Sequence, residues 1–199
     1  MRLRGLHWRV SRILRRVISD AVSDGSTIAV MEIAIELLGV RVEQPDNTPV
    51  MILREQTGDR RLLPILIGTP EATAIHYAIE GIQSPRPLTH DLFVEVLVKL
   101  GATLSKVVIT ELQEHTYYAE IHLDTSDGAH VISGRPSDAV ALAVRTTAPL
   151  FARLSLLDQV ARVATAEETQ ALDSTGGEEA ILDDFRDFID SINPEDFSG

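Results

Sequence analysis

The chain has 199 residues, 44% hydrophobic and 24% charged, enough to bury one ordinary core with extensions. It has no cysteine, which excludes disulfides, thiolate metal sites and cysteine nucleophiles and fits a reducing, cytoplasmic setting. The net charge of −12 hides an asymmetry, +4 in residues 1–30 and −16 in residues 31–199, so the body repels polyanions and nucleic-acid chemistry would need divalent cations, a local basic pocket or only transient contact.

Residues 1–30 space Leu6, Val10, Ile13, Leu14, Val17 and Ile18 among arginines, a basic amphipathic stretch expected to lie outside the fold. No apolar run reaches the roughly 18 residues that span a bilayer, so a soluble chain without an integral membrane span is expected. From Met31 the pattern becomes period two: Ile33, Ile35 and Leu37 share one face of a strand, with Glu32, Ala34 and Glu36 on the other. PDNTP at 45–49 is a turn, and VMILREQ and RRLLPILIG follow as antiparallel strands around the Gly58 hairpin.

A helix follows in IGTPEATAIHYAIEGI, with Thr69 as cap, Pro70 at the first helical position, Glu71 at the positive end of the dipole and Gly81 ending it. QSPRPLTHDLFVEVLVKLGA repeats the design: Thr89 caps, Asp91 lies in the first turn, Leu92, Val96 and Leu100 line a face, and Gly101 closes. VVITEL and TYYAEIHL are strands joined near Gln113 to His115, DTSDG turns into AHVISG, DAVALAVRTTA is a helix and PLFAR a short strand. Hairpins interleaved with single helices predict an α+β fold, mostly antiparallel, in one compact domain over 31–160. Residues 161–199 read as a polar linker and an acidic amphipathic helix, with Ile181, Phe185, Phe188, Ile189 and Ile192 on one face to dock on the domain or a second subunit.

GVRVEQPDNTPVMILRE, LPILIGTPEATAI, PRPLTHDL and GRPSDAVALAV, in that order, closely resemble the bifunctional nuclease domain family, whose plant members are described as degrading DNA and RNA. The resemblance runs from about Ile33 to Val160, and the acidic tail FRDFIDSINPEDF looks like that of actinobacterial members. It implies an α+β domain that forms a homo-oligomer and carries a nuclease activity toward RNA or DNA.

In GRPSDAVALAV, Ser137 can cap a helix and Asp138 stabilise its first turn, which leaves Arg135 unexplained. A guanidinium beside a helix start makes a bidentate anion site, for a phosphate or for Asp138 itself. His90 and Asp91 offer a proton carrier and a metal-holding carboxylate, although helix neighbours point about 100° apart. Glu71, Asp91 and Asp138 are the acids within the resembling motifs, and all three open helices. Either they converge as ligands for Mg²⁺ or Mn²⁺ with Arg135 clamping the phosphate and His90 moving a proton, or they are what helix starts prefer. No HExxH, nucleophile-elbow or glycine-rich phosphate loop is present, so zincin, serine-hydrolase and nucleotide-motor chemistry are excluded. The alternative to a nuclease is a non-catalytic regulatory module that binds protein partners through its acidic surface and tail.

Overall fold

The computed structural model describes residues 31–165. The basic helix expected over 1–30 and the amphipathic helix expected near the C-terminus lie outside them.

Strand β1 (Glu32–Glu43) begins with the expected alternation, Ile33, Ile35 and Leu37 packing into the main core. A bulge between Leu37 and Gly39 then shifts the register, and Gly39 takes φ 150°, a conformation that favours glycine. Leu38, on the opposite face by alternation, joins a second apolar cluster with Val50, Ile52 and Leu62, and the shift turns Val40 and Val42 into the main core. One strand thus serves two hydrophobic layers.

β1 pairs antiparallel with β2 (Thr48–Glu55), which pairs antiparallel with β3 (Leu62–Leu66). β3 is an outer strand, where Pro64 is tolerated because an edge needs fewer amide donors. Helices α1 (Thr69–Ile79) and α2 (Thr89–Lys99) follow. β4 (Thr103–Gln113) and β5 (Thr116–Thr125) form a hairpin whose turn residues Glu114 and His115 both have positive φ, as a two-residue loop matched to strand twist requires. β6 (Gly128–Gly134), α3 (Pro136–Thr146), β7 (Leu150–Arg153) and α4 (Leu154–Val160) complete the order.

The seven strands form one sheet, β3-β2-β1-β7-β4-β5-β6. Every neighbouring pair is antiparallel except β7 with β4. The short strand β7 thus joins the two hairpin halves at the centre of the sheet, making a single mixed α+β domain. α1 packs on β1 and β2, α3 on β4 and β5, the two helices touch, and α2 lies against α3. Arg162 exchanges both backbone hydrogen bonds with Leu62, at 2.7 and 3.0 Å, so chain beyond α4 runs along β3.

One expectation is corrected. The helix caps lie earlier than Thr69, Thr89 and Ser137: Gly68, Leu88 and Arg135 hold the extended conformation, with ψ of 156°, 174° and 143°. For Arg135 the cause is local, since a residue before proline is pushed out of the α region. The face of α2 formed by Leu92, Val96 and Leu100 is not core-facing; all three are exposed, with Phe93, while Leu97 is buried and Val94 packs inward. Two apolar stripes compete on this helix, and its contacts with α3 decide which turns inward. The seven-residue α4, which buries Leu156 and Leu157, was not foreseen.

Candidate active site

With the caps at Gly68, Leu88 and Arg135, the acids Glu71, Asp91 and Asp138 each occupy the third position of their helix, where carboxylates favour the positive end of the dipole. Tertiary packing then treats them differently.

Glu71 and Asp138 converge on one guanidinium. Arg135 donates from Nε to Asp138 Oδ2 at 2.7 Å and from Nη2 to Asp138 Oδ1 at 3.0 Å, a bidentate pair, and Nη2 also lies 2.8 Å from Glu71 Oε1. The Arg135 side chain is 65% exposed, and its Nη1 makes no bond to any described residue. The bonds to Asp138, then its charge and then Glu71 push the guanidinium pKa upward, so Arg135 is a permanent cation. Gly68 leaves room for the Glu71 carboxylate, since a Cβ there would collide with Glu71 Oε2.

His90 joins from the other side, Nε2 lying 3.3 Å from Asp138 Oδ1. Contacts thus run Glu71, Arg135, Asp138, His90, drawn from the first turns of α1, α3 and α2. The imidazole is mostly buried, whereas the guanidinium beside it faces solvent.

Asp91 is turned away. Its Oδ1 accepts from Arg145 Nε at 2.5 Å and its Oδ2 accepts the Leu88 backbone N–H at 2.9 Å. Burial alone would raise the Asp91 pKa, but the Arg145 bond, the Leu88 amide and nearby positive charge outweigh it and hold the carboxyl below its ordinary value. Arg145 also donates to the Ala141 carbonyl at 3.0 Å. Sequence reasoning missed Arg145, although its seven-residue spacing from Asp138 places both on one face of α3.

A Mg²⁺ or Mn²⁺ ion held by Glu71, Asp91 and Asp138 does not fit this arrangement. Both Asp91 oxygens are engaged, and Arg135 stands between the other two carboxylates. Among the described residues, no group of three or more His, Asp or Glu is placed to hold a metal.

A second charged group lies on the opposite sheet face. Lys106 Nζ meets Glu32 at 2.6 Å and Arg153 meets Glu120 at 2.8 Å, with His122 3.2 Å from Glu120. Its charges neutralise one another along the sheet.

The bifunctional nuclease domain model matches residues 51–165, more than half the chain and all of the cluster. The chain belongs to the bifunctional nuclease domain family. An uncharacterized protein of Mycobacterium tuberculosis is 42% identical over 163 residues, covering 82% of this chain and 96% of the relative. Bifunctional nuclease 2 of Oryza sativa subsp. japonica is 30% identical over 122 residues, covering 59% of this chain and 37% of that protein. Bifunctional nuclease 1 of Arabidopsis thaliana is 28% identical over 105 residues, covering 51% and 32%. The plant relatives thus extend well beyond the shared domain. No helix among the described residues is long and apolar enough to cross a membrane.

Proposed function

We propose that the chain cleaves phosphodiester bonds in nucleic acid at the cluster of Glu71, Arg135, Asp138 and His90. The observation that carries this reading is the solvent-facing Arg135 guanidinium, held in place by two carboxylates, one of which also meets the His90 imidazole. A preorganised guanidinium binds phosphoryl oxygens and stabilises the charge that grows on them during displacement. An imidazole and a carboxylate move protons to and from the attacking and leaving oxygens. Family membership supports the same chemistry.

The test is cleavage of end-labelled single-stranded RNA and DNA by the purified full chain beside Arg135→Ala. Removing one preorganised charge-stabilising donor lowers the rate by about 10²–10³-fold. Equal trace activity in the two preparations would mark contamination and remove the reading.

A second reading, a non-catalytic protein-interaction module, is favoured by the exposed apolar stripe of Leu92, Phe93, Val96 and Leu100. It predicts that serines on this stripe abolish partner capture and that Arg135→Ala leaves it intact. Self-association through this stripe belongs to the same reading.

A further inference from the structure

We infer that β6 pairs edge to edge with β6 of a second copy of this chain, antiparallel and centred on Val131, so that one sheet runs through both copies. The two edges of the sheet are finished differently. An unpaired strand offers its amide and carbonyl groups to any other chain, and native edges are blunted by proline, lysine, bulges or a covering segment. β3 has Pro64 within it and the Arg162 backbone bonded to Leu62. β6 ends the sheet on the other side, and its partner among the described residues is β5 alone. Its sequence GAHVISG contains no proline, lysine or formal charge, and its register with β5 runs from Ala119↔Gly134 to Thr125↔Gly128 without a bulge.

Both faces of this edge are open. Ile132 stands opposite Ile121 on the helix-bearing face and is 45% exposed, and Val131 stands opposite His122 on the other face and is 55% exposed. Gly128 to Ser133 are all exposed, so no described element overhangs the strand and blocks another one.

A second copy is the occupant that fits. With residues 31–199 at −16, most of the surface repels another copy, whereas this strand brings no charge to the contact. Laid antiparallel on itself about Val131, GAHVISG sets Val131 against its counterpart, His130 against Ile132, Ala129 against Ser133 and Gly128 against Gly134, with β-branched residues at the centre and small ones at the ends. The same register continues to Asp127 and Arg135, which face each other twice by symmetry. Asp127 is exposed in the β5–β6 turn, its amide bonded to Thr125 Oγ1 at 3.2 Å, and Arg135 has extended backbone and a side chain 65% exposed. Opposite charges thus meet at both ends of the shared ladder. At that exposure they attract through solvent over up to about 10 Å, so the contact uses none of the bonds from Arg135 to Glu71 and Asp138. Each copy places a carboxylate near the other's cluster.

The test measures the association of the full chain by sedimentation equilibrium and its register by cross-linking. The chain has no cysteine, so single cysteines placed on β6 report one position each. Directly opposed Cα atoms of antiparallel strands lie about 4.5–5.5 Å apart, within disulfide reach. Val131→Cys should give a disulfide-linked dimer on mild oxidation, while Ala129→Cys and Ser133→Cys should link when mixed and not alone. Val131→Lys sets two like charges against each other at an exposed position and should raise the dimer dissociation constant by about 100-fold or more, with circular dichroism unchanged. Asp127→Arg should raise it by about 10-fold at low salt and less at high salt. A chain that stays monomeric, a dimer that survives Val131→Lys, or a cross-link from Ala129→Cys alone overturns the inference. A dimer kept in Val131→Lys and lost when Leu92, Val96 and Leu100 become serine overturns it as well, placing the contact on α2.

Discussion

The Arg145 guanidinium of α3 meets the Asp91 carboxylate of α2 at 2.5 Å, one residue along α2 from the imidazole that meets Asp138. The two contacts fasten the first turn of α2 to one face of α3. An acid within a motif matching the family thereby serves as an anchor, and its neighbour reaches the cluster.

Removing the anchor should loosen α2. Arg145→Ala is expected to cost about 1–2 kcal/mol, because the lost bond is to a charged group but Asp91 is exposed enough to rehydrate. The denaturant midpoint should fall with an unchanged slope. Arg145→Lys should recover part of the loss, since a point charge cannot reproduce the planar fork that also reaches the Ala141 carbonyl.

Gly68 and Gly101 should separate site effects from fold effects. Gly68 has an ordinary φ of −75°, so Gly68→Ala displaces the Glu71 carboxylate while changing stability by about 0.5 kcal/mol or less, and RNA cleavage should drop. Gly101 holds φ +72° in open space, so Gly101→Ala should destabilise by about 1 kcal/mol or somewhat more and leave cleavage intact. Thermal unfolding and rate assays on both variants check this.

Stability should fall in acid through two identified carboxyls. Burial alone would raise the Glu55 pKa, but bonds from the Arg61 side chain and amide outweigh it and hold the carboxyl below its ordinary 4.5; Asp91 lies below its ordinary 3.8. The unfolded chain therefore binds more protons, and the stabilisation they provide is fully present above those ordinary values and drains away as pH falls through the lower folded ones. Glu55→Gln should flatten the pH dependence of the denaturant midpoint between about pH 5 and pH 3. An unchanged slope would show that Glu55 is not a source.

The two stripes of α2 should respond oppositely. Leu97→Ala should cost about 2–4 kcal/mol, the range for truncating a buried leucine. Replacing exposed Leu92, Val96 and Leu100 by serine should leave stability within about 1 kcal/mol and reduce binding of an apolar fluorescent dye. A large loss from the serine variant would mean that the stripe is covered in the folded protein.

Much of this fold is legible in the residues. Alternation at Ile33, Ile35 and Leu37 marks β1, Gly81 and Gly101 close α1 and α2 with φ of 64° and 72°, and hairpins interleaved with single helices indicate α+β. The motif around Pro136 also points to Arg135, because the turn before a proline holds a side chain beside a helix start. These features depend on neighbours along the chain, and local dihedral preference and side-chain period act over that distance.

Other features are settled by remote partners. The placement of β7 between β1 and β4, the inward stripe of α2 and the commitment of Asp91 to Arg145 depend on how helices rotate and strands register across the sheet. Glu71, Asp91 and Asp138 look equivalent in sequence because each is an acid in the first turn of a helix. They differ once folded, since the oxygens of a carboxylate go to whichever cation packing brings within reach, and for Asp91 that cation lies 54 residues away. The sequence alone determined the elements and the types of charge they carry. Only the tertiary structure decided which charges meet.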